Sequence, residues 1–496
     1  MSGRIRRIAS AVLLMFVSFQ ASGETRRSSA VSGAEKTRLE HGIREILAHP
    51  DLSQATVGVK IVSLRSGETL FAFQADRLFH PASNTKLFTA VNALYMLGPD
   101  YRHLTRLYGD DTLRARGDTL VTALYLYGTG DPLFDTDDMD GLAAQIAGYG
   151  FRVITGDLIA DDSYFDDARL GEGWMWDDAG FDFSAQISAL TLNLNCVTAI
   201  ASPGDSAGAL VRLRLDPPTA YVETSVTART GNADEKTPFR MERRWKERRN
   251  ILDATGWLSP DATERRLVFS VEDPALYAAT ILRDRLAARG VTVTGQVRRG
   301  YTPVRAQTLA LHVSAPLTES VAFMLKESDN LAAELLLKST GRRRTGETGS
   351  ARNGLAALRN VVTALTGVDT LSYRFADGSG LSWYNLITPS QTVSLLAAAY
   401  RDSTLRKPLW AALPAAGVEG TLKNRMRSSP ANGTLRAKTG TLSAVSCLSG
   451  FVHSAEGEPL VFSVMINNFV GSSAAARRAQ DEIGTLLASF RRKQQE

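Results

Sequence analysis

Pro81-Ala82-Ser83-Asn84-Thr85-Lys86 heads an apolar run that continues to Leu97 and stops at Gly98-Pro99. Pro and Ser suit a helix start, and the density of apolar residues after them predicts a buried helix over 85–97. Residues three apart share a helix face, so Lys86 can approach the Ser83 hydroxyl at the positive end of the helix. A serine hydroxyl is a weak nucleophile until a base takes its proton. A lysine can be that base only where burial or a cationic neighbour lowers its pKa. Alone, S-x-x-K is a tetrapeptide that chance supplies, so its meaning depends on the rest of the chain.

Two more short motifs lie far downstream. Ser328-Asp329-Asn330 opens a helical stretch, Leu331 to Leu337. Its plain reading is an N-cap, since Ser and Asp are preferred there. A cap would also fix a hydroxyl and an amide rigidly. Lys438-Thr439-Gly440-Thr441 lies inside the strand-like run Leu435 to Leu442. A strand edge bearing Lys and Thr can bind a carboxylate, and Gly440 is expected to leave room for substrate backbone beside it. The plain reading is a strand end with a turn. The signal is the ordered trio S-x-x-K, S-x-N, K-T-G, the set found in penicillin-binding proteins and class A β-lactamases.

The chain has 496 residues, 44% of them hydrophobic and 22% charged, with only 2 Cys. This length suggests roughly two or three domains. The composition excludes intrinsic disorder and a disulfide scaffold. A formal charge of +5 raises the question of a nucleic-acid partner. The N-terminus removes most of its basis. Arg4, Arg6 and Arg7 precede an apolar run from Ile8 to Phe19, then Ala21-Ser22-Gly23. These are the three regions of a secretory signal peptide over 1–23, too short for a permanent anchor. Taking its three Arg from +5 leaves +2, which asks for no polyanion. Export would permit a Cys196–Cys447 disulfide, but two cysteines so far apart read more simply as buried thiols.

The texture then divides the chain. A helix is expected at 37–49, a strand at 57–64 and a hairpin turn at Ser66-Gly67-Glu68. From about 100 to 267, short strand-like runs alternate with Gly/Asp turns, which reads as a β-rich insertion. Helices are expected at 274–289, 317–340, 351–366 and 389–401, strands at 446–452 and 460–467, and a closing helix at 474–490. That helix ends in Arg491-Arg492-Lys493. Its narrow apolar stripe predicts packing on the preceding strands with a solvated charged tip, and at most peripheral membrane contact. Gly204-Asp205-Ser206-Ala207-Gly208 fits the G-x-S-x-G nucleophile elbow, which requires a helix after it. Leu210 to Leu215 instead alternates like a strand and reaches Pro217-Pro218, so a hairpin loop is expected.

Beyond the trio, the chain resembles the penicillin-binding protein 4 type of D-alanyl-D-alanine carboxypeptidase/endopeptidase, peptidase family S13. The likeness is carried by Pro81 to Lys86, Leu97-Gly98-Pro99-Asp100-Tyr101, Gly128-Thr129-Gly130-Asp131-Pro132 and Asp161-Asp162-Ser163-Tyr164-Phe165. Gly173-Trp174-Met175-Trp176-Asp177-Asp178, Asp377-Gly378-Ser379-Gly380-Leu381-Ser382, Gly417 to Leu422 and Arg436 to Leu442 complete it. The resemblance spans about 39–487. It implies an α/β (α+β) transpeptidase-like domain, an antiparallel sheet flanked by helices, split as 24–99 and 268–496 around an insertion at 100–267. Ser328 lies 242 residues beyond Lys86, as such an insertion requires.

The chemistry implied by the resemblance is acyl transfer on peptidoglycan stem peptides. Ser83 attacks a D-Ala-D-Ala type bond with Lys86 as base, and Ser328 relays a proton to the leaving amine. Asn330 bonds the substrate, Lys438 and Thr439 hold a carboxylate, and the backbone N–H groups of Ser83 and Thr441 stabilise the oxyanion. β-Lactams are expected as covalent inhibitors, with no metal, cofactor or nucleic acid. The six His show no zinc-peptidase pairing. A β-lactamase or esterase on the same fold is the rival enzyme reading. A non-catalytic β-lactam- or peptidoglycan-binding protein would not need an intact nucleophile with its base. One position departs from the family. Trp383 comes directly after Gly-Leu-Ser where members that recognise meso-diaminopimelate commonly carry Arg, while Asp177 and Asp178, the acidic part of that recognition patch, are present. An indole cannot clamp a carboxylate through two parallel hydrogen bonds, so altered recognition of the stem-peptide side chain is expected.

Overall fold

The computed structural model describes residues 33–231 and 237–492, so the proposed signal peptide lies outside the described residues. Its framework is a five-stranded antiparallel sheet. In chain order the first elements are helix α1 (Gly33–Leu47), strands β1 (Thr56–Ser63) and β2 (Thr69–Phe73), and helix α2 (Thr85–Leu97). After the insertion come helix α3 (Asn330–Thr345), strands β3 (Leu435–Leu442), β4 (Val445–His453) and β5 (Pro459–Asn467), and helix α4 (Ala474–Ser489). The sheet order is β2-β1-β5-β4-β3, which places the N-terminal hairpin beside the C-terminal meander.

Both faces of the sheet are buried, and strand alternation assigns residues to each. On β5, Leu460, Phe462, Val464 and Ile466 pack with Leu39 and Ile43 of α1 and Ile483 and Leu487 of α4. Val461 and Met465 face the other way, into a helical cluster built by α2, α3 and the helices Leu317–Lys326, Ala351–Thr366 and Pro389–Arg401. Strands covered on both sides read as near-continuous apolar runs, which is how Leu460 to Asn467 looks.

The expected long helix at 317–340 is two helices, Leu317–Lys326 and α3. The break holds Ser328 with φ +64°, a left-handed conformation that ends one helix and turns the chain into the next. The insertion is not wholly β. Asp135 and Asp138 form a capping box that starts a helix at Thr136–Ala147. Elements further along the chain join it. Strand Gln307–Val313 pairs with Leu104–Gly109, and helix Pro274–Ala288 buries Tyr277, Ile281 and Leu282 in the insertion's own core. Both elements lie beyond residue 267 and pair or pack with elements of the 100–267 stretch. Helical periodicity marks a buried face but cannot say which core it faces.

Gly204 to Gly208 lies between antiparallel strands Cys196–Ser202 and Arg212–Asp216, a hairpin connection as expected. Cys196 and Cys447 are both free and buried. The C-terminal charged tip departs from expectation at Arg492, which is 5% exposed and donates to Glu458 at 2.6 Å. This pair ties the chain end to the strand entry at Pro459. Removing one partner of a buried ion pair costs about 3–5 kcal/mol because the other charge is left without compensation. Arg492→Ala is therefore expected to lower unfolding free energy by about 3 kcal/mol in a denaturant titration.

Candidate active site

Ser83 sits in a single 3-10 turn, Ala82–Asn84, that runs straight into α2. Ala82 has φ +46°, a conformation that costs a residue with a Cβ about 1–2 kcal/mol. The surroundings hold it there. Thr85 Oγ1 donates to the Ala82 carbonyl at 3.0 Å, and Asn84 Nδ2 donates to Ser449 Oγ on β4 at 2.7 Å. A Cβ on Gly380 would lie 1.9 Å from the Ala82 carbonyl oxygen, and one on Gly440 would lie 2.6 Å from that of Pro81. Gly440 thus makes room for the nucleophile's own turn. The third short motif and the Asp377–Ser382 turn are pressed against the first.

Lys86 is fully buried one turn into the site. Its Nζ donates to Ser83 Oγ at 3.0 Å, to Asn330 Oδ1 at 2.5 Å and to the Ser379 carbonyl at 2.7 Å. Burial pulls its pKa down to about 8, against the opposing pull of Asp329, Asp377 and Glu334. A neutral amine here keeps two N–H bonds, to Asn330 and Ser379, and turns its lone pair toward Ser83. Lys438 is the second buried ammonium. It donates to Ser328 Oγ at 2.8 Å and to the Thr439 carbonyl at 2.9 Å. Burial, then repulsion from Lys86, hold its pKa well below the ordinary lysine range.

Ser328 therefore accepts from Lys438, which leaves its own proton available to a third group. The helix cap at this motif is Asp329, which accepts from Ala332 N at 2.6 Å. Asn330 is anchored at both ends. Its Oδ1 takes the Lys86 bond, and Nδ2 donates to the Phe183 carbonyl at 2.8 Å. The insertion segment at 182–184 thereby touches the reacting centre. β3 is an edge strand of the sheet, so Thr439 and Thr441 lie on an edge with no outer partner strand among the described residues. Thr439 Oγ1 donates to Thr421 Oγ1 at 2.9 Å, and Thr441 is exposed.

Two carboxylates that sequence reasoning does not assign hold this arrangement from behind. Asp377 is fully buried and accepts from Trp174 Nε1, Ser379 Oγ, Gly380 N, Ser382 N and Asn385 Nδ2. It folds the Asp-Gly-Ser-Gly-Leu-Ser turn. Glu334 is also fully buried. Its Oε1 accepts from Gly378 N at 3.0 Å and Ser379 N at 2.8 Å. Burial, then the charge of Asp377, raise its carboxyl to about 8. Glu334 thus fixes the peptide whose carbonyl holds Lys86. Its spacing of four from Asn330 puts both on one face of α3, and that is the signal available in sequence.

The outer candidates stand apart from these groups. Asp177 and Asp178 lie in an exposed 3-10 turn, Trp176–Asp178, and their side chains make no ion pair among the described residues. Asp178 is raised above the ordinary aspartate range by burial, then by Asp177. Trp383 packs edge-on against His80, with ring centroids 5.2 Å apart. Tyr384, next in sequence, and Ser382 crowd Gly173 at the start of the acidic turn's loop.

Glu334 supplies a test of this scaffold. Glu334→Ala leaves two buried N–H donors unpaired, at about 1–3 kcal/mol each. A loss of at least about 2 kcal/mol of unfolding free energy is expected. Glu334→Gln keeps the Oε1 acceptor and is expected to stay within about 1 kcal/mol of the parent. Equal losses for the two variants would show that the acceptor is not what matters.

Comparison with known proteins places the whole chain. The D-alanyl-D-alanine carboxypeptidase of Actinomadura sp. (strain R39) is 37% identical over 502 residues, covering 98% of this chain and 91% of that protein. The D-alanyl-D-alanine carboxypeptidase DacB of Haemophilus influenzae is 28% identical, covering 84% of this chain and 86% of its own. The crystal structure of penicillin binding protein 4 (dacB) from Haemophilus influenzae superposes with a TM-score of 0.80 at 25% identity, covering 90% of this chain and 99% of that one. Residues 39–490 match the D-Ala-D-Ala carboxypeptidase 3 (S13) family as a single unit. With the family matched across nearly all of its described length, the chain belongs to the D-Ala-D-Ala carboxypeptidase 3 (S13) family, and it is an enzyme of the serine-type D-Ala-D-Ala carboxypeptidase kind.

Proposed function

We infer that Ser83 is the acylated nucleophile and Lys86 its base, acting on peptidoglycan stem peptides that end in D-Ala-D-Ala. The observation that carries this reading is the 3.0 Å approach of Lys86 Nζ to Ser83 Oγ with the amine's other two donors already engaged. Neutral Lys86 takes the Ser83 proton as Oγ attacks the carbonyl carbon of the penultimate D-Ala. The backbone N–H groups of Ser83 and Thr441 receive the developing oxyanion. Lys438 and Thr439 hold the terminal carboxylate, and Ser328, fixed by Lys438, passes a proton to the departing amine. The C–N bond breaks, D-Ala leaves, and the acyl-enzyme is released when water attacks with Lys86 again as base. A β-lactam takes the same path to the acyl-enzyme, but its leaving nitrogen stays tethered, so Ser83 remains blocked.

The two outer assignments are extensions of this reading. Asp177 and Asp178 face the stem-peptide side chain, and Trp383 replaces the carboxylate clamp with an apolar contact. Residues 1–23 direct export, the catalytic unit is split around the insertion, and the enzyme works in the periplasm or cell-wall space. Among the described residues no helix is long and apolar enough to cross a membrane.

The decisive experiment is mass spectrometry of digested cell wall incubated with the enzyme and with Ser83→Ala. Loss of one Ala from pentapeptides marks a carboxypeptidase, and loss of cross-linked dimers marks an endopeptidase. Identical behaviour of parent and variant would overturn the assignment of Ser83. Ser83→Ala is expected to lower turnover by about 10⁴-fold or more. Nitrocefin turned over many times per enzyme would favour the β-lactamase reading.

The pH profile is set by Lys86. The base must be neutral, so its protonated form is inactive. Acylation by a β-lactam is expected to rise about tenfold per pH unit below pH 8 and to level off above about 8. A rate flat from pH 6 to 9 would exclude Lys86 as the base. Finally, stem peptides carrying an amidated side-chain carboxyl are expected to be hydrolysed at least as well as the free acid. A strong preference for the free acid would show that Trp383 does not set this recognition.

A further inference from the structure

The insertion carries an open cavity of about 880 Å3, walled by Phe239, Met241, Trp245, Trp257, Leu258 and Phe269. That volume falls within the usual range of ligand sites, about 300–1,000 Å3. Its rim is basic. Arg240 and Arg265 are exposed there and form no ion pair among the described residues. Arg266 lies beside them, engaged by Glu264 at 3.1 Å.

An aromatic strip joins this cavity to the catalytic cleft. Phe181 lines the cavity and stacks on Phe183, with centroids 5.3 Å apart and ring planes within 9°. Phe183 in turn lines the hollow beside Ser328 and Asn330, and its carbonyl accepts the Asn330 amide. Both rings are partly in water, 54% and 42% exposed, and Trp176 is 70% exposed with its ring centroid 5.2 Å from that of Trp245. Leu267 extends the apolar wall of the cavity, while Val268, on the opposite face of the same strand, lines the hollow beside Ser328 and Asn330. A contiguous exposed surface of this kind marks an interaction site.

We propose that the cavity and the strip form an accessory binding site for the peptidoglycan polymer, engaging the strand whose stem peptide enters the cleft. The proposal rests on the substrate reading above. Continuity with the cleft selects the occupant, because only a polymer spans both places at once. The apolar faces of its sugar rings suit indole and phenyl surfaces. The carboxylates of neighbouring stem peptides suit Arg240 and Arg265. A second contact on one molecule raises local concentration at the first without changing its chemistry.

The test uses purified, insoluble cell-wall sacculi. In full-length Ser83→Ala protein, which binds without cutting, the double variant Arg240→Glu/Arg265→Glu is expected to lower the co-sedimenting fraction about tenfold, and Trp245→Ala by a similar factor. With Ser83 intact, the same changes are expected to lower turnover of sacculi about tenfold and leave the β-lactam acylation rate unchanged. Unaltered sedimentation would overturn the proposal, as would a parallel loss of β-lactam acylation. Loss with the arginine pair but not with Trp245→Ala would mean adsorption by charge alone, and would also overturn it. Should the parent enzyme leave sacculi uncut, the substrate reading fails while sedimentation still decides the accessory site.

Discussion

The structure turns on one buried ammonium group. Lys86 has no exposed surface, and each of its three N–H positions has an acceptor from a different part of the chain: the nucleophile's turn, α3, and the turn at Ser379. Taking an ammonium out of water costs several kcal/mol unless its hydrogen bonds are replaced. Those three acceptors replace them, so the fold around Lys86 must close correctly for the lysine to be tolerated at all. The same burial makes it useful, because a lysine in water stays protonated far above neutral pH.

Meeting that constraint sets the shape of the surroundings. Three separate segments must converge within one side-chain length, so backbone has to approach backbone. Gly380 against Ala82 and Gly440 against Pro81 permit this, and no other residue fits either gap. The cost appears as left-handed backbone at Ala82 and Ser328. Both residues flank or carry a reactive hydroxyl. Strain of this kind persists where surrounding contacts over-determine the conformation, and here the bonds to Thr85, Asn84 and Lys438 supply them.

Much of this is legible in sequence because the relevant signals are local. Thr85 to Leu97, Ala351 to Thr366 and Leu435 to Leu442 appear as expected, since amphipathic period and terminal residues are properties of one segment. Ser83 and Lys86 share a turn and can be paired by spacing alone. The hidden part depends on contacts distant in sequence. The helix at Pro274–Ala288 is correct as a helix yet packs in the insertion, because strand Gln307–Val313 beyond it pairs back with Leu104–Gly109. That Gly440 lies against the nucleophile's turn is hidden too, since a sequence does not show which backbone packs beside a glycine. Glu334 carries no motif of its own, and its role emerges only once the turn at Gly378 is placed against α3.

In the proposed mechanism the two lysines also give an anionic substrate a place in this cleft. Lys438 and Lys86 repel each other, and burial already disfavours charge on both. Without an anion, the pair is poorly able to carry two positive charges. A substrate carboxylate seated on Lys438 stabilises charge there, strengthens the hold on Ser328 and leaves that hydroxyl proton directed away from the ammonium. Lys86 is the one of the two whose lone pair faces Ser83, and its neutral form is favoured for as long as Lys438 keeps the charge. In the proposed mechanism, recognition of the terminal carboxylate and activation of the nucleophile are then one electrostatic event: the charge that binds the substrate at one lysine is the charge the other lysine gives up.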